Sequence, residues 1–170
     1  MRILLIQPAK SPRSIGGEDV FIYEPLALEY LAAGVGKDHD VKILDMRLDR
    51  NFEGVLADFK PDVVGITAYT VHVNVVKKLF EQVKNWNVDT LTVVGGHHAT
   101  VMPDDFLSSC IDVIVTGEGV LPFKEIIKRF EKGESFEEIS GTVFRKGGTL
   151  VRTEPDGRLI WIHSHFLIGN

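Results

Sequence analysis

The chain has a single cysteine in 170 residues, Cys110. That excludes an internal disulfide, and it excludes any zinc site or iron–sulfur cluster held by several thiolates of this chain. No apolar run approaches the ~20 residues that a membrane-spanning helix needs. The apolar opening Ile3-Leu4-Leu5-Ile6 stops at Gln7-Pro8, too short for the core of a secretory signal. Positive charge is not in surplus either: 19 Lys and Arg stand against 24 Asp and Glu, a formal net of -5. Electrostatics therefore supplies no reason to bind nucleic acid or an anionic membrane. The expectation is a cytoplasmic protein with neither partner. What is present is a 44% hydrophobic composition, enough at this length for one packed core.

Short apolar runs alternate with longer amphipathic segments, the pattern of a parallel α/β sheet. Arg2–Ile6 reads as a central first strand. A long loop rich in Pro, Ser and Gly follows to Tyr23, and Pro25 suits the first turn of a helix to about Val35. Its buried side is expected at Leu26, Leu28, Leu31 and Ala32, and Gly34 and Gly36 close it. Further strands are expected at Val41–Leu44, Val63–Ala68, Leu91–Val94 and Val113–Val115. Helices are expected at Phe52–Phe59, Val71–Trp86, Asp104–Ser109 and Val120–Glu131. The arrangement implied is a Rossmann/flavodoxin-like, doubly wound, five-stranded parallel sheet ordered 2-1-3-4-5. After Gly133 the character changes. Gly141–Arg145 and Thr149–Arg152, joined across Lys146-Gly147-Gly148, read as a C-terminal β-hairpin, and Leu159–Ile168 is an apolar tail. The chain thus divides into an α/β domain, 1–132, and a hairpin with its tail, 133–170.

In such a sheet, ligands bind beyond the carboxyl ends of the strands. Small and hydroxyl residues gather there in three adjacent loops: Thr67-Ala68-Tyr69-Thr70, Gly95-Gly96-His97-His98-Ala99-Thr100 and Thr116-Gly117-Glu118-Gly119. Glycine after a strand is often only turn chemistry, but three neighbouring loops sharing small and hydroxyl residues fit a site that needs backbone clearance and hydrogen bonds. A phosphoacceptor domain needs metal-binding carboxylates after the first strand, where this chain has Gln7-Pro8. A dinucleotide site needs G-x-G-x-x-G there; Gly117-Glu118-Gly119 lacks the third glycine and follows the fifth strand. A flavodoxin-type phosphate loop is approached by Ser11, Ser14, Gly16 and Gly17, but Pro12 and Arg13 interrupt it.

Several segments, taken in order, carry a resemblance. They are Tyr23-Glu24-Pro25-Leu26-Ala27-Leu28-Glu29-Tyr30-Leu31-Ala32, Ile43-Leu44-Asp45, Pro61-Asp62-Val63-Val64-Gly65-Ile66-Thr67, Gly95-Gly96-His97-His98-Ala99-Thr100 and Asp112-Val113-Ile114-Val115-Thr116-Gly117-Glu118-Gly119. Over about residues 1–150 the chain resembles the N-terminal cobalamin-binding domain of cobalamin-dependent radical S-adenosylmethionine enzymes. That group includes the anaerobic magnesium-protoporphyrin ester cyclase and many methyltransferases.

The resemblance implies a corrinoid over the strand ends, its nucleotide tail inserted between the sheet and a helix. Thr67, Ala68, Tyr69 and Thr70 would flank the tail and the corrin edge. Gly95 and Gly96 would clear the tail, and Gly117, Glu118 and Gly119 would line the far wall. Gln7 and Pro8, with Ser14 and Gly16 of the loop 9–19, and His97 and His98 complete the candidate cofactor-binding set. The D-x-H-x-x-G motif that brings a histidine to cobalt in mutases and methionine synthase is absent, as it often is in the radical subgroup. The lower face of cobalt is therefore expected to lack a protein His ligand.

The remaining candidates have plainer readings. His97 and His98 are adjacent and point apart, which argues against one shared ion and for polar lining. His163 and His165 read as an exposed strand face, and His72 as a surface residue. Cys110 reads as buried filler, and the stripe Phe123, Ile126, Ile127 and Phe130 as core packing. No catalytic residue and no metal ligand is assigned to this chain. The parent enzyme would add a 4Fe-4S cluster and S-adenosylmethionine through C-x-x-x-C-x-x-C, which one cysteine cannot supply. The expectation is a binding module whose radical domain is lost or is a separate partner, with the apolar tail offering a surface for that domain or for a second copy. The alternative is a stand-alone flavodoxin-like carrier or ligand-sensing protein binding a nucleotide or flavin.

Overall fold

The computed structural model describes residues 1–9 and 23–154. Five parallel strands lie in it: β1 (Arg2–Gln7), β2 (Asp40–Asp45), β3 (Val63–Thr67), β4 (Leu91–Gly95) and β5 (Val113–Val115). Between them run α1 (Leu26–Val35), α2 (Phe52–Phe59), α3 (Val73–Trp86) and α4 (His97–Val101), and α5 (Val120–Lys132) follows β5. The strand order is β2-β1-β3-β4-β5, as expected, and it continues through β6 (Thr142–Lys146) and β7 (Thr149–Arg152). Among the described residues the sheet therefore has seven strands rather than five.

The extra strands are the expected hairpin. β6 runs antiparallel to β5, with Val113 opposite Phe144 and Val115 opposite Thr142, and the Thr116 N–H donates to the Gly141 carbonyl at 2.8 Å. A three-residue β5 left at the edge would carry unpaired backbone groups, and the hairpin satisfies one side of them.

Alternate residues of the strands feed two cores. Leu4, Ile6, Val64 and Val94 pack with Leu56 of α2 and Phe80 of α3. Ile3, Leu5, Val63 and Val93 pack with Leu28 of α1 and with Phe123 and Ile126 of α5. Burial of both faces explains why these strands are continuous apolar runs. Phe123, Ile126 and Ile127 are buried as expected, and Cys110 is buried too.

Several local expectations give way. Leu26 is exposed, because it lies two residues, or about 200°, from Leu28, whose side chain enters the core. α1 passes through Gly34, and only Gly36 ends it, its N–H donating to the Ala32 carbonyl at 2.7 Å. α3 begins at Val73, because a 3-10 turn over Thr70–His72 precedes it. That turn carries His72 inward to 0% exposure, where a surface residue was expected, and its Nδ1 accepts the Tyr69 N–H at 3.3 Å. Residues 97–101, expected as loop, form the single turn and a half of α4. The helix expected over Asp104–Ser109 is only a 3-10 turn, Pro103–Phe106.

Candidate ligand-binding site

The strand exits of β3, β4 and β5 stand side by side, since the three strands are neighbours in register: Thr67 opposes Gly95, and Val94 opposes Ile114. Backbone hydrogen bonds join the first two exits. The Ala68 N–H donates to the Gly95 carbonyl at 2.9 Å, and the His98 N–H to the Ala68 carbonyl at 3.0 Å. This closeness dictates Gly96. Its φ is 97°, and a Cβ there would lie 2.8 Å from the Ala68 nitrogen. Thr100 joins the third exit, its Oγ1 donating to the Gly96 carbonyl and accepting the Gly117 N–H, both at 3.0 Å.

A cavity of about 470 Å³ opens beneath these exits, between the sheet and the pair α1 and α5. Thr67, Gly95, Gly96, Gly117, Glu118 and Gly119, six of the residues singled out from the sequence, line it. Its other walls are Leu28 and Leu31 of α1, Val93 and Val115 of the sheet, and Val120 and Phe123 of α5. Glu118 is exposed at the mouth, and its Oε1 accepts the Val120 N–H at 3.4 Å, at the start of α5.

The other candidates lie elsewhere. Gln7 is buried at the end of β1, its amide facing the Pro8 carbonyl at 3.4 Å. Ala68 is fully buried in the opposite core. Tyr69 and His97 are exposed at the carboxyl rim, ring centroids 6.3 Å apart. His98 does not line the cavity. It is buried, with Nδ1 3.0 Å from the Thr70 hydroxyl, Nε2 2.8 Å from the Asp105 carboxylate and its ring edge-to-face with Phe106. Ser14 and Gly16, most of the loop 9–19, and His163 and His165 of the tail lie outside the described residues. Among the described residues no group of three or more His, Cys, Asp or Glu side chains is placed to hold a metal ion, and no helix is long and apolar enough to cross a membrane.

The helix walls were missed by sequence reasoning, which assigned Leu28, Leu31 and Phe123 to packing alone. One signal pointed at them: Gly65 interrupts the apolar run of β3, and an interior strand glycine marks a close approach. At the rim, Arg47 holds the segment before α1 to the end of β2. Its Nε and Nη2 donate to both oxygens of Asp45, at 2.8 and 2.6 Å, and Nη2 reaches the Tyr23 carbonyl at 2.7 Å. The hydrogen bond from Arg47 holds the Asp45 carboxyl below the usual carboxylate range, against the opposing effect of burial.

Known proteins resemble this arrangement in sequence and in shape. The chain is 37% identical over 169 residues to an uncharacterized methyltransferase of Pyrococcus horikoshii, covering 94% of this chain and 36% of that protein. It is 29% identical over 171 residues to the anaerobic magnesium-protoporphyrin IX monomethyl ester cyclase of Rubrivivax gelatinosus, covering 94% of this chain and 29% of the relative. The chain thus spans about a third of the length of these relatives. In fold it matches the radical S-adenosylmethionine methyltransferase TsrM of Kitasatospora setae, solved with cobalamin and a [4Fe-4S] cluster. The TM-score is 0.72 at 21% identity, over 91% of this chain and 29% of that one. The family described as the B12 binding domain matches residues 12–127, more than half of the sequence, and the chain belongs to that family.

Proposed function

We propose that this chain is the cobalamin-binding part of a radical S-adenosylmethionine enzyme, holding a corrinoid over the carboxyl ends of β1, β3, β4 and β5. The observation that carries the reading is the cavity: in a member of the B12-binding family, about 470 Å³ of largely apolar space opens at three adjacent strand exits, two of them glycine-bearing. Its donor set fits the group. A flat macrocycle with amide arms and a heteroaromatic tail needs backbone clearance, apolar walls and scattered hydroxyls, and Gly95, Gly96, Gly117, Phe123 and Thr67 have those properties. In this reading the tail enters the cavity. Thr67, Gly95, Gly96, Gly117, Glu118 and Gly119 contact it, while Tyr69, Thr70 and His97 at the rim, with Gln7, Pro8, Ser14 and Gly16, face the corrin edge.

A bound corrinoid supplies methyl-carrier or radical chemistry at cobalt. This chain's residues bind and orient it. No histidine of the chain is assigned to cobalt, since D-x-H-x-x-G is absent and both His98 ring nitrogens have partners. The iron–sulfur cluster and S-adenosylmethionine belong, in this reading, to a second domain in cis or in trans, reached through residues 133–170. The flavin or nucleotide alternative has no comparable support, because the family match points elsewhere.

The test is a titration of the chain with hydroxocobalamin followed by absorbance. The expected result is a spectral change that saturates at one equivalent. No change at saturating corrinoid overturns the proposal.

A further inference from the structure

His98 is a buried ring held on every side. Its backbone is fixed by two hydrogen bonds: the N–H donates to the Ala68 carbonyl at 3.0 Å, and the carbonyl accepts the Met102 N–H at 2.8 Å. The ring packs edge-to-face on Phe106, which is fully buried. At one edge Nε2 is 2.8 Å from Asp105 Oδ2, and at the other Nδ1 is 3.0 Å from Thr70 Oγ1. Asp105 and Thr70 are both exposed, so the buried imidazole connects two points of the surface.

The chemistry of the three groups gives that connection a direction. An ionised carboxylate only accepts, so Nε2 carries the proton, and in the neutral ring Nδ1 is left as an acceptor. The Thr70 hydroxyl has one proton and donates it to Nδ1. Its oxygen then offers only lone pairs to whatever lies over the rim. A carboxylate fixes the tautomer of an imidazole, and the imidazole fixes the hydroxyl.

We infer that Asp105 and His98 are positioning residues that make the Thr70 hydroxyl an obligate acceptor, so that this point of the rim selects a hydrogen-bond donor on the ligand, an amide N–H over a carboxylate. The inference rests on the corrinoid reading above, since a corrinoid carries amide arms around its edge. A carboxylate in the same place sets oxygen against oxygen with no proton between them. The expected penalty is about ten-fold in affinity.

Two readouts test it. Long-range proton–nitrogen NMR of the 170-residue chain at pH 8, above the ordinary histidine value of about 6.5, should show His98 protonated at Nε2 alone. A proton on Nδ1 overturns the proposal whether or not a corrinoid binds. The second readout compares hydroxocobalamin with its monocarboxylate analogues, each with one amide arm hydrolysed. The analogue altered at the arm over Thr70 is expected to bind about ten-fold more weakly. Thr70→Val removes the hydroxyl at an exposed position, and Asp105→Asn, able to donate as well as accept, releases the tautomer. Each should bring the ratio toward one, while Thr70→Ser keeps it. Equal affinity for every analogue overturns the selectivity and leaves the corrinoid reading standing. So does a penalty that survives both substitutions, as one owed to Glu118 at the cavity mouth would. A chain that binds no hydroxocobalamin overturns that reading and the selectivity with it.

Discussion

A Cβ on Gly96 would stand 2.6 Å from the Oγ1 of Thr67, one strand away. The exits of β3 and β4 are therefore in contact through a residue with no side chain, at a φ of 97° that other residues rarely adopt. Gly96→Ala combines that strain with a collision against the backbone of Ala68. The expected cost is about 2 kcal/mol or more in urea denaturation, with weakened corrinoid binding. A loss within about 0.5 kcal/mol, the range of an ordinary surface change, contradicts this account.

The Asp45–Arg47 pair gives stability a pH dependence of definite sign. Asp45 titrates below its usual value in the folded chain, so the folded state binds that proton less readily than the unfolded one. The pair's contribution is complete above the unfolded Asp value of about 3.9 and fades as pH falls through the lower folded value. Asp45→Asn should thus cost stability at pH 7, and the difference from the natural chain should shrink toward acid. Denaturation at a series of pH values checks it; a difference that grows toward acid would sink the assignment.

Lys84 closes the amino end of the sheet. Its Nζ donates to the Val88 and Thr90 carbonyls at 3.1 and 2.8 Å and to Asp112 Oδ2 at 2.6 Å, the oxygen that also accepts from Thr92 N–H and Oγ1. Lys84→Met removes the cation from all three acceptors and is expected to destabilise by about 1–3 kcal/mol. Hydrogen exchange should quicken at Leu91 and Thr92 before it does so in β1. Unchanged exchange there would show that the lysine holds nothing.

Cys110 reports on opening of the α3 side. It is buried, its Sγ 3.2 Å from the Ser108 hydroxyl and 3.8 Å from the Lys77 carbonyl. As the single thiol, it should react with a bulky disulfide reagent far more slowly in the native chain than in urea. Equal rates would place it at the surface.

Much of the fold was legible because burial imposes period. Runs such as Val63-Val64-Gly65-Ile66 are apolar on both faces only in a covered sheet, and the three- and four-residue spacing of Val76, Leu79, Phe80 and Val83 is that of one helix face. The glycines of the exits were legible for a related reason, since backbones that approach one another exclude side chains. Less legible was anything decided between segments distant in sequence. Residues 97–101 give too short a signal for a helix, and β6 reads as a free hairpin until β5 offers it an edge.

By itself, then, the amino-acid sequence determined the order of strands and helices, the edge of the sheet where the cavity opens, and six residues of its lining. Those follow from local chemistry: periodicity, turn glycines and the direction of parallel strands. Only the tertiary structure decided what that rim encloses. The packing of α1 and α5 across the sheet turned Leu28 and Phe123 from core residues into cavity walls. It also turned His98 into a buried link between Thr70 and Asp105. A cavity is the space between elements, and no single element's sequence encodes it.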